Sequence, residues 1–212
     1  MSARVICISR AICGGAEEVA AGVASELGFR CIDEEIVVRA AELQGLDAAE
    51  VADVERRKSF LERLLEDIAA GSAYRMAAYV PDGGVVPVST LDLRALIRKA
   101  IFEAAAAGSV VIVAHGASYA LATRPDVLRV LVTGSPSVRA DRLADMEGMA
   151  VVAAAEAIDE SDAARADYLE RFYEIEQELA DHYDVTVSTD VLTPPQAIEL
   201  IVRAARIIGG QG

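Results

Sequence analysis

Arg4-Val5-Ile6-Cys7-Ile8-Ser9-Arg10-Ala11-Ile12-Cys13-Gly14-Gly15-Ala16-Glu17-Glu18-Val19-Ala20 is the stretch whose reading decides the fold. Its opening residues, ending at Ile8, are apolar and rich in β-branched side chains, as a short buried strand requires. Small residues and two glycines follow, and from Ala16 the apolar residues recur at helical spacing to about Leu27. A strand feeding a glycine-bearing loop at a helix N-terminus is the layout that nucleotide-binding α/β proteins use for phosphate. Backbone N–H groups converge there and the helix dipole favours an anion.

Outward from this unit the pattern repeats. Gly28 closes the first helix, and residues 29–32 form a second short strand ending at Asp33. Residues 34–43 read as a helix broken at Gly45, and Asp47 caps a further helical run that ends at Gly71. The turn Pro81-Asp82-Gly83-Gly84 precedes a short strand at residues 85–88, and residues 51–89 form a helical insert on the substrate side. A helix starting at Thr90 or Asp92 runs to Ala107 and is closed by Gly108. Residues 110–114 are the clearest buried strand, and residues 127–132 are another.

Pro136 opens a helix with Val138, Leu143 and Met146 inward and Arg139, Asp141 and Arg142 on other faces; Gly148 breaks it. Residues 151–179 form one or two helices, residues 183–188 a last strand, and Pro194-Pro195 start a final helix with Ile198, Ile201 and Val202 inward. Short continuous apolar strands alternating with helices specify an α/β domain whose parallel sheet is covered on both faces. Ligands in such folds sit beyond the carboxyl ends of the strands. Here that edge carries residues 9–18, Asp33, His115-Gly116 and residues 133–135.

Composition narrows the class. With 212 residues, 53% hydrophobic and 25% charged, the chain suits one globular domain, residues 1–212. A net charge of −14 disfavours nucleic acid and anionic membrane surfaces as partners. No stretch reaches the ~18 uninterrupted apolar residues of a membrane span, and the N-terminus reads as a strand rather than a signal peptide. Cys7, Cys13 and Cys31 lack metal or redox spacing, which points to reduced thiols in a cytoplasmic protein. Cys7 and Cys31 read as buried packing residues; Cys13 is either a small loop residue or a reactive thiol beside a helix N-terminus. His115 and His182 have no ligand spacing, so no metal site is expected, and His182 reads as exposed. Ser9 and Ser135 lack a nucleophile-elbow context, which sets hydrolase chemistry aside.

Several short matches then line up in order. They are Ser9-Arg10 before a small-residue loop, Leu27-Gly28-Phe29 with Ile32-Asp33, Val111-Ile112-Val113-Ala114-His115-Gly116-Ala117, and Asp162-Ala163-Ala164-Arg165-Ala166-Asp167-Tyr168. Together they resemble the cytidylate-kinase-like proteins, relatives of the nucleoside monophosphate kinases. The resemblance implies a P-loop kinase-like three-layer sandwich: five parallel strands, helices on both faces, a helical acceptor-side insert and a lid at about residues 139–168. It implies phosphoryl transfer from ATP, with magnesium, to a CMP-like nucleoside monophosphate. The partner is then a nucleotide or small phosphorylated molecule, and a homo-oligomer is the expected assembly. Carried over residue by residue, Arg10, Cys13, Gly14, Gly15, Ala16, Glu17, Glu18 and Arg139 would surround the ATP phosphates. Arg142 and Arg165 would be the catalytic lid arginines, and Asp33, His115 and Gly116 would contact the acceptor.

The loop itself conflicts with that chemistry. A working phosphate loop reads Gly-x-x-x-x-Gly-Lys-Ser/Thr, with the lysine bridging phosphates and the hydroxyl on magnesium. Here the corresponding residues are Ala11, Ala16, Glu17 and Glu18. A carboxylate ~4 Å from a phosphate oxygen costs on the order of 4 kcal/mol at an effective dielectric of 20, against ~0.3–2 kcal/mol from the helix dipole. Glu17 and Glu18 equally suit a ligand-free role, complementing that dipole in the first helical turn. The only lysines are Lys58 and Lys99, so compensating charge must come from Arg10, Arg139, Arg142 and Arg165. Those arginines could instead pair with Asp141, Asp145 or Asp162 on a solvated face. His115 stands where the family usually has an arginine. Two functions stay open: a divergent kinase relying on Arg10, Arg142 and Arg165, or a non-catalytic pseudokinase that binds a nucleotide or a partner.

Overall fold

The computed structural model describes residues 3–33, 90–113 and 116–208, without the side chains of residues 90–94. The expectations for the insert at residues 51–89, for the elements between residues 34 and 50, and for His115 lie outside the described residues.

Strand β1 (Val5–Arg10) is central. It pairs in parallel with β3 (Val110–Val113) on one side and β4 (Val127–Thr133) on the other, so that Val5 aligns with both Val110 and Val127. β2 (Arg30–Ile32) adds to β3, and β5 (Val185–Ser188) adds to β4. The order β2-β3-β1-β4-β5 gives a five-stranded, wholly parallel sheet.

Strand alternation sends two sets of side chains to opposite faces. Ile6, Ile8, Val111, Val113, Leu128, Val130 and Val132 pack with Val19 and Val23 of α1 (Ala16–Leu27) and with Ile201 and Val202 of the last helix, residues 194–207. Val5, Cys7, Val110, Ile112 and Val127 pack with Ile97 and Ile101 of α2 (Thr90–Ala107), with the short α3 (Ala117–Ala120), and with Phe172. Both faces of the central strands β1 and β3 are therefore dry, which is why these two read as nearly unbroken apolar runs. α4 (Pro136–Glu147) and α5 (Val151–Tyr173) pack on each other through Leu143, Ala154 and Ile158, with Ile12 and Cys13 of the loop against them. The last helix, α6 (Pro194–Ile207), starts behind a Thr193–Gln196 capping box. Among the described residues no helix is long and apolar enough to cross a membrane.

Several local expectations need correction. β1 continues through Ser9 to Arg10, so Arg10 ends the strand instead of lying two residues past it. α5 is one helix that stops at Tyr173, where Glu174 turns left-handed (φ 60°); it does not reach Leu179. Met146 is 72% exposed, and α4 turns Arg139, Ala140, Leu143 and Ala144 inward instead. Burying Arg139 is tolerable because its guanidinium finds acceptors on every side, as described below. Cys31 is exposed, since β2 is an edge strand with only Ile32 buried. His182 is half-buried, and α3 has no counterpart in the sequence reading.

Candidate functional site

The loop between β1 and α1 closes on itself: Gly14 N donates to Ala11 O (3.0 Å) and Ala11 N to Val132 O (3.4 Å). A Cβ on Gly14 would lie 2.8 Å from Ala11 O, so only glycine fits this bend. Gly15, at φ 78°, caps α1 without a side-chain acceptor. The first-turn amides of Ala16, Glu17 and Glu18 therefore keep the unsatisfied donors of any helix start. Three carbonyls of the loop are held from behind. Ile12 O accepts from Arg139 Nη1 (3.5 Å), Cys13 O from Arg142 Nη1 (3.1 Å), and Gly14 O from the buried hydroxyl of Thr189 (2.9 Å). These three bonds hold the bend of the loop between β1 and α1 in place.

Arg10 reaches from the end of β1 to Glu17, with Nη1 2.7 Å from Oε1, and lies 3.3 Å from Asp33 Oδ2. Three residues singled out in the sequence thus meet, but as a cation between two carboxylates. More than half of the Glu17 side chain is exposed, so the pair contributes only about 0.2–1 kcal/mol to stability. Its consequence lies in where charge is placed: at the helix position of a bridging cation there is a carboxylate, and the nearest guanidinium is already on it. Glu18 is exposed. Burial and the Glu17 charge push the Cys13 thiol up, opposite to what a reactive thiolate needs.

The arginines of α4 and α5 are also engaged. Arg139, 3% exposed, makes a two-pronged pair with Asp162 (2.9 and 2.5 Å) and donates Nε–H to Gly134 O (3.0 Å). Arg142 donates to Thr189 Oγ1 (2.8 Å) and Thr189 O (2.7 Å) besides Cys13 O, tying the segment after β5 to the loop. Arg165 sits side-on against Glu178, with Nε at 2.9 Å and Nη2 at 2.6 Å. The Tyr183 hydroxyl donates to the same carboxylate and lies 3.2 Å from that of Tyr119, which is 3.3 Å from His182 Nδ1. Burial and the Glu178 charge push the Tyr183 hydroxyl far above the ordinary tyrosine range, so it stays protonated and keeps its proton for the bond to Glu178. Ser9, at the end of β1, pairs with Ser118 (3.2 Å) beneath this network.

Gly116, at φ 62°, caps α3 and lies under the ring of Tyr173: a Cβ there would be 2.1 Å from Cε2. Backbone and packing both demand glycine at this position, independently of any ligand.

Thr189, Glu178, Tyr119 and Tyr183 were missed by sequence reasoning. Thr189 was within reach of the strand-end rule, since it follows β5 as directly as Asp33 follows β2. Glu178 carried no signal, because its position depends on where α5 ends. As a cofactor site, Glu17 and Glu18 supply carboxylates where a magnesium triphosphate needs an ammonium and a hydroxyl. The residues present do not fit that group.

Comparison with known proteins agrees with the architecture. The model of a family described as the cytidylate kinase-like family matches residues 5–191. An uncharacterized protein from Eubacterium ventriosum ATCC 27560 superposes with a TM-score of 0.63 at 15% identity, over 94% of this chain and 96% of that one. Shikimate kinase from Bacteroides thetaiotaomicron superposes with a TM-score of 0.49 at 18% identity, over 94% of each chain. No curated protein sequence matches the chain.

Proposed function

The chain belongs to the cytidylate kinase-like family, and we propose that it is a ligand-binding pseudokinase: a nucleotide-kinase-type protein that holds a nucleotide-like ligand without transferring phosphoryl groups. The carrying observation is Arg10 between Glu17 (2.7 Å) and Asp33 (3.3 Å). Phosphoryl transfer is catalysed by positioning and by neutralising charge on the moving group. Among the described residues, four arginines at this edge are placed to do so, and all four are committed: Arg10 and Arg165 to carboxylates, Arg139 to a carboxylate and carbonyls, Arg142 to carbonyls and a hydroxyl.

Binding is supported by the cavity of about 310 Å³ that Ala11, Thr133, Arg139, Arg165 and Leu169 line at this edge of the sheet.

A coupled assay of ATP, magnesium and a panel of nucleoside monophosphates tests this reading. No turnover above background is expected. Magnesium-dependent transfer that scales with protein and disappears in Arg165→Ala overturns it.

A further inference from the structure

Resting on the reading as a ligand-binding pseudokinase, we infer that the cavity under the lid receives an uncharged, nucleoside-like group, and that Glu178 is the residue that keeps phosphate out of it. The cavity, about 310 Å³, is floored by Leu131 and Thr133 of β4, roofed by Ala166 and Leu169 of α5, and closed by Ile175 and Gln177. Its size is at the small end of ligand sites. Leu131 and Thr133 alternate with Val130 and Val132, which pack on the α1 side. The cavity therefore lies on the other face of the sheet, on the β4 side of β1, whereas Arg10, Glu17 and Asp33 cluster toward β2.

Charge decides the ligand class. Two guanidiniums line the cavity, those of Arg139 and Arg165, together with three carboxylates, those of Asp162, Glu176 and Glu178, leaving one negative charge in excess. Each guanidinium is already matched by a two-pronged carboxylate, the geometry by which it would otherwise grip a phosphate. A phosphate would have to strip Glu178 from Arg165 and from the Tyr183 hydroxyl together, and would still face Asp162 and Glu176.

A neutral ring system meets no such opposition. Leu131, Leu169 and Ile175 offer apolar walls to its faces, and the Gln177 amide and Thr133 hydroxyl offer both donors and acceptors to its edges. Among the described residues Arg165 is paired through Nε and Nη2, which leaves its Nη1 as a donor for a neutral oxygen.

Calorimetric titration of the full chain with cytidine, uridine, adenosine, guanosine and inorganic pyrophosphate at matched ionic strength tests the inference. Wild type is expected to bind at least one nucleoside saturably and to show no pyrophosphate binding in the cavity. Ala166→Leu, a helix-compatible replacement that fills the cavity from α5, should weaken nucleoside binding at least about tenfold while the melting temperature holds. Glu178→Gln should gain pyrophosphate binding by about tenfold or more, and adding Ala166→Leu should remove the gain. If Glu178→Gln does not fold, Ala166→Leu decides alone.

The inference is overturned if wild type binds no nucleoside, if Ala166→Leu binds as wild type does, if pyrophosphate binds wild type and is lost in Ala166→Leu, or if folded Glu178→Gln gains nothing. Catalytic turnover is a separate readout: a nucleoside-binding chain that transfers phosphate would sink the pseudokinase reading and leave the cavity's specificity standing.

Discussion

Burial works against the Glu178 carboxylate, but two hydrogen bonds from Arg165, that guanidinium's charge and the Tyr183 hydroxyl hold it below the usual carboxylate range. A folded-state pKa below the unfolded value of 4.5 stabilises the fold above that pH, and the contribution is lost as pH falls through the folded value. Asp126 and Asp184, held down by Arg124 and Arg129, add slopes of the same sign, so the test compares wild type with Glu178→Gln and does not rely on wild type alone. At pH 7 the variant should be less stable by about 3 kcal/mol. That is the low end for breaking a buried pair, because roughly a fifth of each side chain reaches solvent. Urea denaturation should show the gap narrowing steadily below pH 4.5; a gap that stays constant to pH 3 would mean the lost stability is packing and not charge. Glu17 poses the complementary question. Glu17→Lys restores a cation at the helix start and frees Arg10 from one of its carboxylates. Magnesium ATP should then raise the melting temperature where wild type shows no change, reaching about 2.7 kcal/mol of stabilisation at a hundredfold excess over the dissociation constant. No shift in the variant would place the defect in the loop backbone instead of its charge.

The start of α3 and the end of α5 depend on each other through Gly116 and Tyr173. Gly116→Ala must hold an alanine at φ 62° and push an aromatic ring aside, so it should cost roughly 2–3 kcal/mol in thermal or urea unfolding. Combined with Tyr173→Ala, which removes the ring, the added cost should fall to the backbone share of about 1 kcal/mol; equal costs in both backgrounds would exclude the ring contact. Thr189 is the matching device behind the phosphate loop. Thr189→Val keeps the shape but removes the hydroxyl from Gly14 O and Arg142, and should lower stability by about 1–2 kcal/mol. The elements themselves were largely readable: the central strands β1, β3 and β4 were mainly apolar runs, and Gly28, Gly108 and Gly148 ended helices where a left-handed residue was needed. What could not be read was how elements face each other. The spacing of α4 suggested Met146 inward and Arg139 outward, because hydropathy ranks a methionine above an arginine. Asp162, 23 residues away, reverses that ranking by supplying two hydrogen bonds that local sequence cannot show. The end of α5 was missed for a similar reason: Glu174 adopts a left-handed conformation that usually advertises itself with glycine or asparagine. Because that end was missed, the turn carrying Glu178 back onto Arg165 was invisible, and with it half of the candidate site.

For the whole molecule, the charge of −14 is the property that any phosphate-binding site has to offset locally. A surface this acidic repels itself, so the compact state should gain stability as salt screens it. The screening length falls from roughly 30 Å at 0.01 M to 10 Å at 0.1 M, and a melting temperature a few degrees higher in 0.1 M sodium chloride is expected on that ground alone. Binding at an anion site adds a second, species-dependent increment, since a ligand that selects the folded state stabilises it in proportion to its occupancy. The two effects separate at constant ionic strength, where chloride is exchanged for sulfate or pyrophosphate. Sulfate also acts by exclusion from the protein surface, so it serves as the control for that general effect. If the carboxylates on Arg10, Arg139 and Arg165 do occupy the seats of phosphate, pyrophosphate should stabilise no more than sulfate at equal ionic strength. Glu17→Lys, which changes one seat and shifts the net charge by only two, should break that equality in favour of pyrophosphate. A wild-type preference for pyrophosphate, saturating at millimolar concentration or below, would instead mean that a polyphosphate displaces these intramolecular pairs, and the pseudokinase reading would lose its electrostatic basis.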